Sequence, residues 1–161
     1  HLHYSIGAID TKQGKWESAI FNYRSCFALS NDDHDDWNAS ISIIALIIEY
    51  AKLRDLSSVI EWSQRGLTLC NNSTDPLIKI KEPHFYCFLA IYGELKDYEI
   101  TLIKGIKHFE QKNEFRFAHK YSLQLAQHYM ENKKYKKAAL QYKKANDFLA
   151  LKENRKFTED L

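Results

Sequence analysis

Two stretches of this chain, 119 residues apart, carry one pattern of rings and small side chains. "IGAIDTKQGKWESAIFNYRSC" runs from Ile6 to Cys26, and "LAQHYMENKKYKKAALQYKKA" runs from Leu125 to Ala145. Without a gap, Gly7 aligns with Ala126, Trp16 with Tyr135, Ala19 with Ala138, Tyr23 with Tyr142 and Cys26 with Ala145. Two weaker copies lie between them. One runs through Leu46, Tyr50, Leu56, Val59, Ser63 and Gly66, the other through Phe88, Tyr92, Tyr98, Thr101, Gly105 and His108. The copies start 40, 42 and 37 residues apart. Self-similarity at that period means stacked supersecondary units, each too small to bury its own apolar face.

Each copy reads as a helix, a short turn and a second helix. Two helices cross closely only where small side chains sit at the contact, and a ring then fills the remaining groove. Ala126, Ala138 and Ala145 are the expected close-approach points, with Tyr129, Tyr135 and Tyr142 as wedges. The pattern predicts helices over 2–13, 16–30, 37–53, 55–70, 84–95, 97–112, 114–132 and 135–153. "KQGK" at Gly14, "LRD" at Arg54 and "LKD" at Lys96 read as turns within pairs. The aspartates of "NDDHDD" are good N-caps for the helix at Trp37. The longest break spans Asn71 to Pro83, with Pro83 at a first helical position.

Only two prolines and five glycines in 161 residues agree with long helices in one domain. Cys26, Cys70 and Cys87 are an odd number without a CxxC pair, and read as buried thiols in a reducing compartment. "ISIIALII" (Ile41 to Ile48) is far shorter than the ~20 residues a bilayer requires and reads as a buried helix. The expected location is cytoplasmic, with no membrane partner. The first residue is His1, so the reading expects a piece of a longer polypeptide. Charge is uneven: residues 1–80 hold seven basic and ten acidic side chains (−3), residues 81–161 sixteen and eleven (+5). The lysines from Lys133 onward read as a solvated outer face, with no direct nucleic-acid contact by this segment.

No catalytic constellation is legible. His84 and Cys87 fall three apart on one expected helix, but "HFYCFLAIY" is apolar throughout and reads as core. No HExxH, Cys/His ligand spacing or glycine-rich phosphate cradle is present, and "NDDHDD" lacks the glycine and final glutamate of a calcium loop. The chain is expected to be no enzyme and to need no metal or cofactor.

The spacing L-[GA]-x2-Y followed by A-x3-[FY]-x2-A resembles the tetratricopeptide repeat. Leu125, Ala126, Tyr129, Ala138, Tyr142 and Ala145 carry the resemblance in full. Ile6, Gly7, Ala19, Tyr23 and Cys26 carry it nearly, with Asp10 where an aromatic is usual. The resemblance implies an all-α, right-handed superhelix of about four helix pairs, near 1–34, 40–73, 82–115 and 119–152, in one domain over 1–161. First helices would line its concave side. There the expected peptide- or protein-binding residues are Tyr4, Thr11 and Lys12; Ile44, Ile48 and Lys52; Tyr86 and Glu94; and Leu123, Gln127, Met130 and Glu131, with Ala8 and Ala90 beside them. Such a mix of apolar, aromatic and charged groups suits an extended peptide or a partner helix.

Repeats of about 40 residues rich in Lys, Ile, Tyr and Asn, ending in "YMENKKYKKAALQYKKA", are also similar to those of Gram-positive peptide-pheromone receptors. These are the Rap phosphatases and related helix-turn-helix regulators. That resemblance implies a sensor domain for a short signalling peptide, with DNA binding or phosphatase action on a separate segment. The alternative is a protein–protein scaffold with no peptide signal. Self-association into a homodimer stays open.

Overall fold

The computed structural model describes residues 2–93 and 97–159, with side chains through Asn154. All regular structure among them is helical: α1 (Leu2–Lys12), α2 (Trp16–Asp32), α3 (Asp36–Lys52), α4 (Leu56–Asn72), α5 (Pro76–Lys79), α6 (Glu82–Tyr92), α7 (Tyr98–Gln111), α8 (Phe115–Glu131) and α9 (Tyr135–Glu159). The chain divides into two compact units, His1–Glu94 and Leu95–Leu161. The division falls inside the third copy of the repeat. None of the described helices is long and apolar enough to cross a membrane.

Five turns share one geometry. Gly14, His34, Arg54, Asn113 and Lys133 all have φ between 56° and 73°. In each, the next residue's N–H reaches back to the buried carbonyl five residues earlier: Lys15 to Asp10, Asp35 to Ser30, Asp55 to Tyr50, Glu114 to Phe109 and Lys134 to Tyr129, at 2.8–3.0 Å. The left-handed residue bonds the carbonyl three residues before it, completing a Schellman cap. The cap's last residue is already the N-cap of the following helix, and its carbonyl accepts from Ala19, Ala39, Val59, Ala118 or Ala138. All five of these side chains are buried. They are small because the incoming and outgoing helices meet there, and a larger group would separate the backbones. Gly14, His34 and Arg54 are spaced by 20, as are Asn113 and Lys133. The structural unit is therefore one helix plus one cap, half the period visible in the sequence.

The N-cap expectation holds at Asp35, whose carboxylate accepts from Asn38 N–H at 3.0 Å. Asp55 does the same for Ser58 at 3.1 Å. The break at 71–83 is less irregular than expected. Asp75 accepts from Leu77 N–H at 2.8 Å, and Pro76 opens the single turn of α5 that buries Ile78. Pro83 sits second in α6, after Glu82.

In the first unit consecutive long helices pack on one another, with Tyr23, Ile43, Leu46, Ile47, Val59 and Trp62 in a continuous core that Ile78, Phe85 and Phe88 close. At ~1.5–3 kcal/mol for each large apolar side chain, this core is the main support of the unit. Gly66 lets α6 approach α4: a methyl group there would run into the Phe85 ring. Asp10, standing where an aromatic was expected, is buried and accepts from Ser18 Oγ at 2.7 Å and Asn22 Nδ2 at 3.2 Å. A polar clasp thus replaces a ring between α1 and α2. His84 and Cys87 are buried on α6.

In the second unit α8 packs between α7 and α9. Ala126, Ala138 and Ala145 are all buried, as the sequence required, and Tyr129 wedges beside them. Tyr135 does not: it is 60% exposed at the start of α9. As the first helical residue it precedes the contact that Ala138 makes one turn later. The His119 ring bonds the Ala145 carbonyl at 2.8 Å, tying α8 to α9.

Candidate ligand-binding faces

The expected binding residues of the first unit fall into two groups. Tyr4, Ile44 and Ile48 are half-buried and lean on the core, Tyr4 with its ring 5.4 Å from that of Tyr23. They offer edges rather than whole side chains to a ligand. Thr11 and Lys52 come together through a residue the sequence reading passed over. Glu49 of α3 is buried, and its Oε1 accepts from Thr11 Oγ1 at 3.0 Å and Lys52 Nζ at 2.9 Å. Tyr23 hydroxyl and Thr11 Oγ1 lie 3.2 Å apart, so the tyrosine donates to a threonine that donates to the glutamate. Lys52 Nζ also lies 4.7 Å from the centre of the Trp16 ring. Burial pushes the Tyr23 phenol up, and nearby Asp10 and Glu49 add to the effect. Lys12 is exposed beside this cluster. Tyr86 stands on α6 with 43% of its surface exposed. Glu94 lies outside the described residues, as does the turn expected at Lys96.

In the second unit the four expected residues occupy one stripe of α8. Leu123, Gln127 and Met130 follow the i, i+4, i+7 spacing of a single face, and Glu131 flanks it. Leu123 is 36% and Met130 42% exposed, while the opposite face of the same helix buries Tyr121, Ser122, Leu125, Ala126 and Tyr129. Gln127 is held at both ends of its amide: Nε2 donates to Glu131 Oε1 at 3.1 Å, and Oε1 accepts from Tyr142 hydroxyl at 3.3 Å. The stripe therefore pairs two free apolar side chains with a fixed polar centre.

A second concavity in this unit was not foreseen. Ile103, Ile106 and Lys107 of α7 face Gln141 and Lys144 of α9 across Leu125, enclosing about 290 Å³. Apart from Leu125 on α8, these residues come from second helices, where no binding residue was expected. The exposed Ile103 was the available signal. In the first unit a polar cleft of about 310 Å³ is bounded by His3, Leu29, Asp33, Asp35 and Asn38.

The strongest electrostatic feature is structural. Glu99, in the first turn of α7, accepts from Tyr129 hydroxyl at 2.8 Å, Lys137 Nζ at 3.0 Å and Lys134 Nζ at 3.2 Å. The Lys137 and Tyr129 bonds, then Lys134, hold its carboxyl down at about 2. Burial, and then the Glu99 carboxylate, push the Tyr129 phenol up to about 12. This knot ties α7, α8 and α9 together at the α8–α9 cap. Among the described residues no group of three His, Cys, Asp or Glu side chains could hold a metal ion.

No family model matches this chain, and no curated protein matches it.

Proposed function

We propose that this chain is a tetratricopeptide-like binding domain whose first helices hold a short peptide or a segment of a partner protein. Within that class, the peptide-responsive regulators fit best. Their sensor domains combine repeats of this length and composition with an inward ligand face. The observation that carries the reading is the α8 stripe. Leu123 and Met130 keep apolar surface in water beside a fixed amide, on a helix whose other face is fully packed. Tyr86 gives α6 a similar exposed ring. Such exposed anchors around a polar centre suit an extended or helical peptide.

The test is thermal unfolding with a library of short peptides. Ligand at a hundred times its dissociation constant adds ~2.7 kcal/mol, a rise of about 5–11 °C for a chain of this size. Leu123→Asp with Met130→Asp should remove the rise, because both side chains are exposed, and leave the free protein's melting point within about 2 °C. A library with no active member, combined with recovery of a folded partner from pull-downs, would favour the scaffold alternative.

A further inference from the structure

Glu49 is left half-satisfied. It is 2% exposed, Oε1 takes both of its hydrogen bonds, and Oε2 is buried without a partner. An ionised carboxylate offers about four acceptor positions, and a buried oxygen left unpaired is costly. The groups around it favour a cation. Asp10, the second buried carboxylate, acts with Glu49 on Tyr23. The Trp16 ring supplies an electron-rich face. Lys52 answers this environment incompletely, because an ammonium is a point charge that meets one oxygen here. A guanidinium presents parallel N–H groups that bond both oxygens of a carboxylate, and its plane stacks on an indole.

Lys52 is also movable. Lys52 reaches Glu49 from one turn away on the same helix, and 40% of its side chain is exposed. Rotation about its own side-chain bonds takes the ammonium off Glu49 Oε1 without moving any helix. Thr11, Lys12 and Lys52, at the mouth of this site, belong to the first-helix face described above.

We propose that Glu49, Thr11 and Trp16 form a recognition site for an arginine side chain of the bound peptide or partner segment, with Lys52 occupying it until that ligand arrives. The site deepens the peptide-binding reading and rests on it for its biological role, while its chemistry is testable separately. The arginine takes the place of Lys52 between carboxylate and indole and gives Oε2 the donor it lacks.

The probes are acetyl-Ala-Arg-Ala-amide and its citrulline counterpart, which keeps the shape and loses the charge. Binding is followed by nuclear magnetic resonance at the Trp16 indole and Thr11 amide signals. The arginine tripeptide should shift both saturably, and the citrulline tripeptide should shift neither. Lys52→Met removes the internal competitor and should tighten binding at least about fivefold. Glu49→Gln should abolish it. Trp16→Leu, at an exposed position that does not endanger folding, should weaken it about threefold or more, read at Thr11. Equal responses to arginine and citrulline, or an affinity unchanged by Lys52→Met, would overturn the site. Longer peptides that bind the α1 and α3 face whether or not they contain arginine would sink this site and spare the ligand reading. An arginine response at Trp16, with no peptide acting at α8, would do the reverse.

Discussion

Replacing Glu99 with Gln removes the charge on which the second unit converges. The carboxyl is held at about 2 in the folded protein, against an ordinary value near 4.3. A gap of roughly 2 pH units corresponds to ~3 kcal/mol at 1.36 kcal/mol per unit. Glu99 keeps 28% of its side-chain surface in water, and both lysines are about half exposed. Screening therefore reduces the figure to about 1–2 kcal/mol. The folded value lies below the unfolded one, so this stability is complete above about pH 5. It is lost as pH falls from there toward 2. Tyr129 has the opposite sign. Its phenol is raised to about 12, so its share is complete below about pH 10 and is lost as pH rises toward 12. The assay is urea unfolding of wild type and Glu99→Gln, followed by circular dichroism from pH 2.5 to 8. The variant should be less stable by about 1–2 kcal/mol at pH 7, with the difference shrinking steadily below pH 5. A difference that stays constant across this range would show that the carboxylate's charge is not what ties α7 to α8 and α9.

Arg54→Gly and Lys133→Gly should each stabilise by about 0.5–1 kcal/mol in urea unfolding, because both residues are held at φ 57°, where a Cβ is penalised. A loss at both positions would contradict the cap geometry. Gly66→Ala forces a methyl group into the Phe85 ring and should cost about 1–3 kcal/mol by the same measurement. Ser42 of α3 and Ser122 of α8 bury hydroxyls that lack a partner. Their alanine variants should melt at or slightly above the wild-type temperature, and a clear drop would mean the hydroxyls are bonded after all.

What was legible in the sequence followed from packing constraints that admit few residue types. Gly7, Ala19 and Cys26 match Ala126, Ala138 and Ala145 because helices in contact tolerate only small groups there, and all six are buried. The second helices begin at Trp16, Leu56, Tyr98 and Tyr135, reproducing the 40, 42 and 37 spacing. The shorter period of helix plus cap stayed hidden because its marker is a backbone angle. His34, Arg54 and Lys133 adopt a conformation usually signalled by glycine or asparagine, and the caps hold them there with two backbone bonds each. Tyr135 has the repeat spacing of a wedge, but its place at a helix start leaves it in solvent. Glu49 was missed for a different reason. A single glutamate within "ISIIALIIEYAK" reads as a surface interruption of an apolar helix, and its burial depends on Thr11 arriving from α1, elsewhere in the fold.

The central claim is that the first-helix face receives the ligand. Its most direct test is a residue-resolved nuclear magnetic resonance footprint on the isotope-labelled protein with a peptide that raises its melting point. The account predicts saturable shifts at Leu123, Gln127 and Met130, with Ile103, Lys107 and Lys144 unaffected. A footprint centred on Ile103, Lys107 and Lys144 instead would place binding in the cleft between α7 and α9 and contradict the claim.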